Sequence, residues 1–219
     1  PAEPFSIAGG VRVESEGYDL QDLAGKLGSV EFRVNGRLGP LPEVAGSEIE
    51  LGISGPDLSE LESLLASIGL VETAGAPTKP FGLSGRLGAT ATGYEIEELL
   101  ARVGGNEVRV RGTVGKEPDF TGTDLVVDGE GADGSWIGRL ARLPLPEEPY
   151  RVRGRVQRLA SGYRFEGLQV EFGEFRARLD GNLGEPPRLE GTNLDVSAEG
   201  PDLVVIHSVA DLPEWLVGA

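Results

Sequence analysis

The residues equipped for chemistry are few. His207 is the single histidine of the 219-residue chain, in the stretch VVIHSVADL, with Ser208 and Asp211 beside it. Serine, histidine and aspartate can supply a nucleophile, a base and an orienting group. Here all three fall on one short stretch that reads as helical. An i, i+1, i+4 arrangement does not set them in line, so the histidine reads as a partly buried structural residue. The chain has no cysteine, which excludes disulfides, thiol nucleophiles and thiolate-bound zinc. There are 36 carboxylates. A glycosidase needs two of them held roughly 5–10 Å apart in a cleft. No spacing singles out such a pair, and most fall at outward strand positions. DLVVDGEGADG at 124–134 has something of a calcium loop. It lacks the EF-hand spacing and closing glutamate, and reads as a hairpin tip. No catalytic residue, metal ligand or cofactor is expected.

Two further patterns invite a ligand. The glycines of GRLG at 36–39 and GTVG at 112–115 look like phosphate cradles. No helix start follows them and no lysine is placed to reach a phosphate. They read as strand kinks where neighbouring backbone or a helix approaches. RVRGRVQR at 151–158 is a local basic run. It reads as the outward side of a strand with arginine stems lying over it; contact with lipid head groups is the alternative.

The net charge of −16 repels nucleic acid and anionic membrane surfaces. It does not exclude apolar cargo. No methionine opens the chain, and no apolar run is long enough to span a bilayer. The start, Pro1-Ala2-Glu3-Pro4, predicts a piece of something longer, with its targeting information elsewhere.

What must position any site is a repeat. PFSIAGGVRVESEGYDLQDL begins at Pro4, PFGLSGRLGATATGYEIEEL at Pro80, and PYRVRGRVQRLASGYRFEGL at Pro149. Gly9, Gly85 and Gly154 follow, then Gly17-Tyr18, Gly93-Tyr94 and Gly162-Tyr163. VNGRLG at 34–39 matches VRGTVG at 110–115 and LDGNLG at 179–184. GPDL at 55–58 matches GADG at 131–134 and GPDL at 200–203. The offsets are 76 and then 69 at every landmark. The domain is therefore read as 1–219, divided into 4–79, 80–148 and 149–219.

Each copy alternates apolar and polar residues with period two, as in FSIAGGVRV, VEFRVNGRL and EIELGIS, which predicts half-buried strands. A fourth strand starts at Tyr18 and Leu20, and its alternation slips at Asp22-Leu23, predicting a bulge. After GPDL the period becomes helical, through Leu58, Leu61, Leu64, Leu65 and Ile68. Pro56 suits the first turn, and Ser54 or Asp57 a cap. The later copies keep this only weakly, in GADGSWIGRLARL and PDLVVIHSVADLPEWL. The fold expected is mainly β: a three-repeat, curled antiparallel sheet of about twelve strands, a β-groove, with short helices at the repeat junctions. At about 4.8 Å per strand it runs roughly 58 Å.

The alternation puts Phe5, Ile7, Phe32, Val34, Phe81, Leu83, Val108, Val110, Val152, Phe165, Ala177 and Leu179 on the dry face. On the residues alone this face is either the core of a closed sandwich or barrel, or a groove for acyl chains.

The run of signals PF-x-L-x-G, GY-x-[IL]-x-x-L, V-x-G-x-[LV]-G and G-P-D-L with a short helix resembles the repeats of AsmA-like proteins. That family is related to TamB and to the wider repeating β-groove lipid-transfer proteins. The likeness covers nearly the whole chain. It implies a non-enzymatic segment of a periplasmic protein in a Gram-negative cell envelope, tethered to the inner membrane by an anchor outside this chain. It implies phospholipid or other acyl-chain cargo, lipid transport or outer-membrane biogenesis, and contact with other envelope proteins. It brings no catalytic set. Two other classes remain: a structural or adhesive β-repeat that binds a protein partner through its edge strands, and an enzyme domain acting on polysaccharide.

Overall fold

The computed structural model describes residues 4–42, 44–67, 75–135, 147–185 and 187–201. Twelve strands and one helix occur among them. In chain order they are β1 (Phe5–Glu14), β2 (Gly17–Leu27), β3 (Val30–Leu38), β4 (Ser47–Gly55), α1 (Leu58–Ser67), β5 (Phe81–Ala89), β6 (Gly93–Val103), β7 (Asn106–Gly115), β8 (Asp124–Gly131), β9 (Tyr150–Leu159), β10 (Gly162–Phe172), β11 (Phe175–Gly184) and β12 (Asn193–Glu199). The strands form one sheet in strict sequence order, β1 to β12, every neighbour antiparallel. The sheet is open, since β1 and β12 end the order and do not pair. A closed sandwich or barrel, the alternative left by the alternation, is therefore not the fold.

Period-two sequence becomes a two-faced sheet because paired residues share a face. Phe32 lies opposite Ile53, which lies opposite Leu83, which lies opposite Ala101. Ala101 lies opposite Val108, and the row continues through Gly129 to Val152 and Val170. The slip expected at Asp22-Leu23 is present: β2 and β3 shift register between Leu20 and Leu23, with Asp22 at φ 47°. Similar shifts fall between Ile96 and Leu99 and between Phe165 and Leu168. The bulged amide is given an acceptor from the next strand, Asn35 Oδ1 for Asp22 at 2.6 Å and Asp180 Oδ2 for Gly167 at 2.8 Å. Each bulge inverts the sequence parity without turning the chain over, so Ile96 and Leu99 both stay on the apolar face.

Short turns such as Gly28-Ser29 and Gly104-Gly105 join most strands. Three longer loops join β3 to β4, β7 to β8 and β11 to β12. Each is closed in the same way. The Ser47 hydroxyl donates to the Val44 carbonyl and accepts from the Gly39 amide. Thr123 does this for Phe120 and Gly115, and Thr192 for Leu189 and Gly184. Val44, Phe120 and Leu189 are held there at φ of 50°, 55° and 55°, a conformation large side chains rarely adopt.

Gly36, Gly112 and Gly181 sit in β3, β7 and β11 at φ of +118°, +130° and +118°. A Cβ on them would lie 2.1, 2.0 and 2.2 Å from the carbonyl oxygens of Glu48, Asp124 and Asn193 on the next strand. These are the strand kinks expected from the sequence, and what approaches is neighbouring backbone rather than a helix. Backbone cannot give way cheaply, and the φ is itself costly for an L-residue. Gly112→Ala is expected to destabilise the sheet by about 3 kcal/mol in urea unfolding, a change of less than about 0.5 kcal/mol contradicting this packing.

The helical period after GPDL yields α1. Asp57 caps it: its Oδ1 accepts from the Ser59 amide at 2.9 Å and from the Ser59 hydroxyl at 2.6 Å. Pro56 is not in the first turn as expected; it lies before the cap, because the helix starts only at Leu58. Asp133 makes the same pair of bonds to Ser135 at the start of the second junction, at 3.0 and 2.6 Å. The rest of that junction, 136–146, and the third, 202–219, lie outside the described residues, as does Ile68. A helix is thus described at the first junction only. Leu58, Leu61 and Leu64 pack against a cluster of Val30, Phe81, Val103 and Tyr150 at one end of the apolar face.

Candidate functional site

The register carries one apolar face across all twelve strands. Phe5 and Ile7 of β1 stand opposite Leu27 and Gly25, and Gly25 stands opposite Phe32. Val34 pairs with Leu23 and Leu51. Phe81 and Leu83 pair with Gly55 and Ile53 on one side and with Val103 and Ala101 on the other. Val108 and Val110 pair with Ala101 and Leu99, then with Gly129 and Val127. Val152 faces Gly129 and Val170, and Phe165 faces Val156 and Gly181. Ala177 and Leu179 face Val170 and Leu168, then Ala198 and Val196. All twelve residues expected on the dry face share it. The alternation also missed members of it, Leu99 and Leu168 among them. Both follow a bulge, and the doublet Leu99-Leu100 in GYEIEELLARV is the signal that parity changes there.

Among the described residues this face is only partly covered: Phe32, Val34, Leu51, Ile53, Leu83, Val108, Val110 and Val152 are half-buried. Among the described residues no large side chain is fully buried. Burial is concentrated where α1 lies, at Val30, Phe81 and Val103, each under 10 % exposed. Towards the edges exposure rises, to 76 % at Phe5 and 59 % at Val196. Large rings lie over glycines: a Cβ at Gly25 would sit 2.5 Å from the Phe32 ring, and one at Gly55 would sit 2.7 Å from the Phe81 ring. Among the described residues, hollows are bordered mostly by side chains of the opposite face, with Phe32, Leu51, Ile53 and Leu83 also reaching the one at β2–β6. One is bordered there by Lys26, Glu31, Arg33, Ser54, Ser84 and Arg102. The apolar face is therefore a greasy strip rather than a pocket.

The opposite face is polar and ion-paired. Arg151, Arg153 and Arg155 of β9 meet Glu130, Asp128 and Asp124 of β8 at 2.8, 3.1 and 2.5 Å. So the stretch 124–134 is mostly strand β8, not a hairpin tip. Its carboxylates alternate onto one face because β8 is extended, and arginines opposite hold them. Hydrogen bonding from Arg155 keeps the Asp124 carboxyl below its usual range, with Gln157 adding to it and burial opposing. The same contact raises the Arg155 guanidinium. Such exposed pairs are screened by water and salt, so they align strands more than they stabilise them. Among the described residues no group of three or more His, Cys, Asp or Glu could hold a metal ion.

The basic run at 151–158 divides between the faces. Arg158 shares the face of Val152 and Val156, opposite Tyr163. It lies 4.9 Å from the Tyr163 ring centroid and pairs with Glu185 at 2.9 Å. Its side chain is 13 % exposed, so it forms a packed, charge-neutralised corner at the end of the face away from α1. Its parity with Val152 was the available signal. His207, Ser208 and Asp211 lie outside the described residues. Compared with known proteins, the chain matches no family model, no curated sequence and no solved structure.

Proposed function

We propose that the chain is a non-enzymatic segment of an AsmA-like protein of the Gram-negative periplasm, on whose apolar face phospholipid acyl chains travel between the membranes. The observation that carries this reading is the row of apolar and glycine positions that crosses every strand, from Ile7 through Phe32, Ile53, Leu83, Val108, Val152 and Val170 to Ala198, beside a mostly polar opposite face. The resemblance of the repeats to AsmA-like proteins points the same way. Twelve strands at about 4.8 Å make the strip roughly 58 Å long, while half of a bilayer's hydrocarbon core is about 15 Å. An acyl chain therefore covers only a fraction of the strip and has equivalent positions to move between. Burying it contributes about 0.8 kcal/mol per CH₂, so no charged anchor is required along the way. The polar face, with its carboxylates in cross-strand ion pairs, keeps such a strip soluble. No helix among the described residues is long and apolar enough to cross a membrane. On this reading, inner-membrane tethering falls to a segment outside the chain.

Binding is testable on the chain itself. Incubated with phosphatidylethanolamine–phosphatidylglycerol vesicles and separated by size exclusion, the protein peak is expected to carry phospholipid. A lipid-free peak contradicts the proposal.

A further inference from the structure

The two ends of the strands differ in chemistry on the apolar face. Where α1 packs, the face ends on Val30, Phe81, Val103 and Tyr150, all under 10 % exposed. Asn106 at that end is 3 % exposed and bonded: it donates to the Val103 carbonyl at 2.9 Å and accepts from the Asp133 amide at 3.3 Å. At the other end each repeat places a tyrosine on this face, as the second residue of β2, β6 and β10. Tyr18 pairs with Val13 and Leu38, Tyr94 with Ala89 and Val114, and Tyr163 with Arg158 and Leu183. Successive tyrosines lie four strands apart, about 19 Å. Tyr94 is 47 % exposed, and Tyr18 and Tyr163 are half-buried. No hydrogen bond joins any of the three hydroxyls to another described residue. Arg158, in the same row, is already neutralised by Glu185.

A phenol has an apolar ring and a polar tip, and tyrosines gather where hydrocarbon meets water, at the depth of lipid head groups. One end closed by a helix and the other lined by unbonded phenols give the face a polarity along its strands. From Val30 to Leu38, β3 spans roughly 26 Å, against about 15 Å for the hydrocarbon of one leaflet. An acyl chain laid along a strand from the tyrosine row therefore stays on the face, its methyl end towards the cluster under α1. We propose, resting on the lipid reading above, that Tyr18, Tyr94 and Tyr163 are the head-group positions of the path. Their hydroxyls donate to ester or phosphate oxygens of a phospholipid whose acyl chains point to the α1 end. The lipid then passes sideways from one tyrosine to the next without turning over. A phenol offers lipid oxygens a donor and adds no charge to the face.

The chain has no cysteine, so a fluorophore can be attached at one chosen position. Val114→Cys places it in the row of Tyr94, and Val108→Cys places it on the same face of β7, roughly 20 Å nearer the α1 end. Each labelled chain is incubated with phosphatidylcholine vesicles spin-labelled either on the head group or at the end of the acyl chain, then re-isolated by size exclusion. The head-group label is expected to quench more strongly at 114 than at 108, and the chain-end label the reverse. Tyr18→Phe, Tyr94→Phe and Tyr163→Phe combined should lower the phospholipid carried about fivefold, the weight of one hydrogen bond, and abolish the bias in quenching, with circular dichroism unchanged. Lipid carried with equal or reversed quenching, or with the bias intact in the combined variant, overturns this inference and leaves the lipid path standing. A lipid-free peak overturns the path and this inference with it.

Discussion

Val110→Asp is expected to stop lipid movement along the sheet while leaving the sheet folded. Val110 lies on the apolar face of β7 between Leu99 and Val127. It is half-buried, so a carboxylate there keeps contact with water in the lipid-free protein, and unfolding should shift by only about 1 kcal/mol. A passing acyl chain would strip that water. Placing a carboxylate in hydrocarbon costs about 3 kcal/mol, on the order of a hundredfold in occupancy of that position. Because the strip is one row of neighbouring strands, a block at β7 interrupts traffic from either side. Arg109→Asp is the matched control. Arg109 is on the polar face, paired with Glu107, and its loss should leave lipid transfer unchanged. Transfer of a fluorescent phospholipid between vesicles by the full-length protein measures both. Equal rates for Val110→Asp and the unsubstituted protein contradict the account.

Phe81→Ala is the substitution expected to cost most in stability. Phe81 is 7 % exposed, lies over Gly55, and belongs to the cluster on which Leu58, Leu61 and Leu64 pack. Removing the ring takes away its burial and leaves a hole between α1 and the sheet, about 3–5 kcal/mol. Domain stabilities are about 5–15 kcal/mol, so this removes a large share. Phe81→Leu should cost less, about 1–2 kcal/mol, because most of the volume remains. Urea unfolding followed by circular dichroism gives both. A loss under about 1 kcal/mol for Phe81→Ala would mean that α1 does not rest on this ring.

The sheet was legible because its signal is redundant. Period two in VEFRVNGRL and EIELGIS, evenly spaced turns and recurrent landmarks all imply a meander, and the strand order is that meander. The twelve expected face residues follow from alternation alone, since pairing cannot change which side a residue is on. The bulge at Asp22-Leu23 showed because parity broke within one strand. Other features left no such mark. Nothing in PLPEVAGS or KEPDFTGT reveals that Val44 and Phe120 turn left-handed; that is imposed by the hydroxyls of Ser47 and Thr123 closing the loop. DLVVDGEGADG misled because glycine and aspartate signal turns, whereas here glycines 129 and 131 serve neighbouring side chains within a strand: Gly129 between Val108 and Val152, Gly131 beside Asn106 and Tyr150. Arg158 was read with a basic run, although its parity places it on the other face.

The central claim is that one face of this sheet, and only that face, meets lipid. A photo-crosslinking residue placed at position 110, and separately at position 109, tests it in cells expressing the full-length protein. The two positions are adjacent in β7 and differ only in the face they take. The account predicts phospholipid captured at 110 and none at 109. Equal capture at both, or capture at neither while the protein still supports growth, would show that the face of Val110 is not a lipid path.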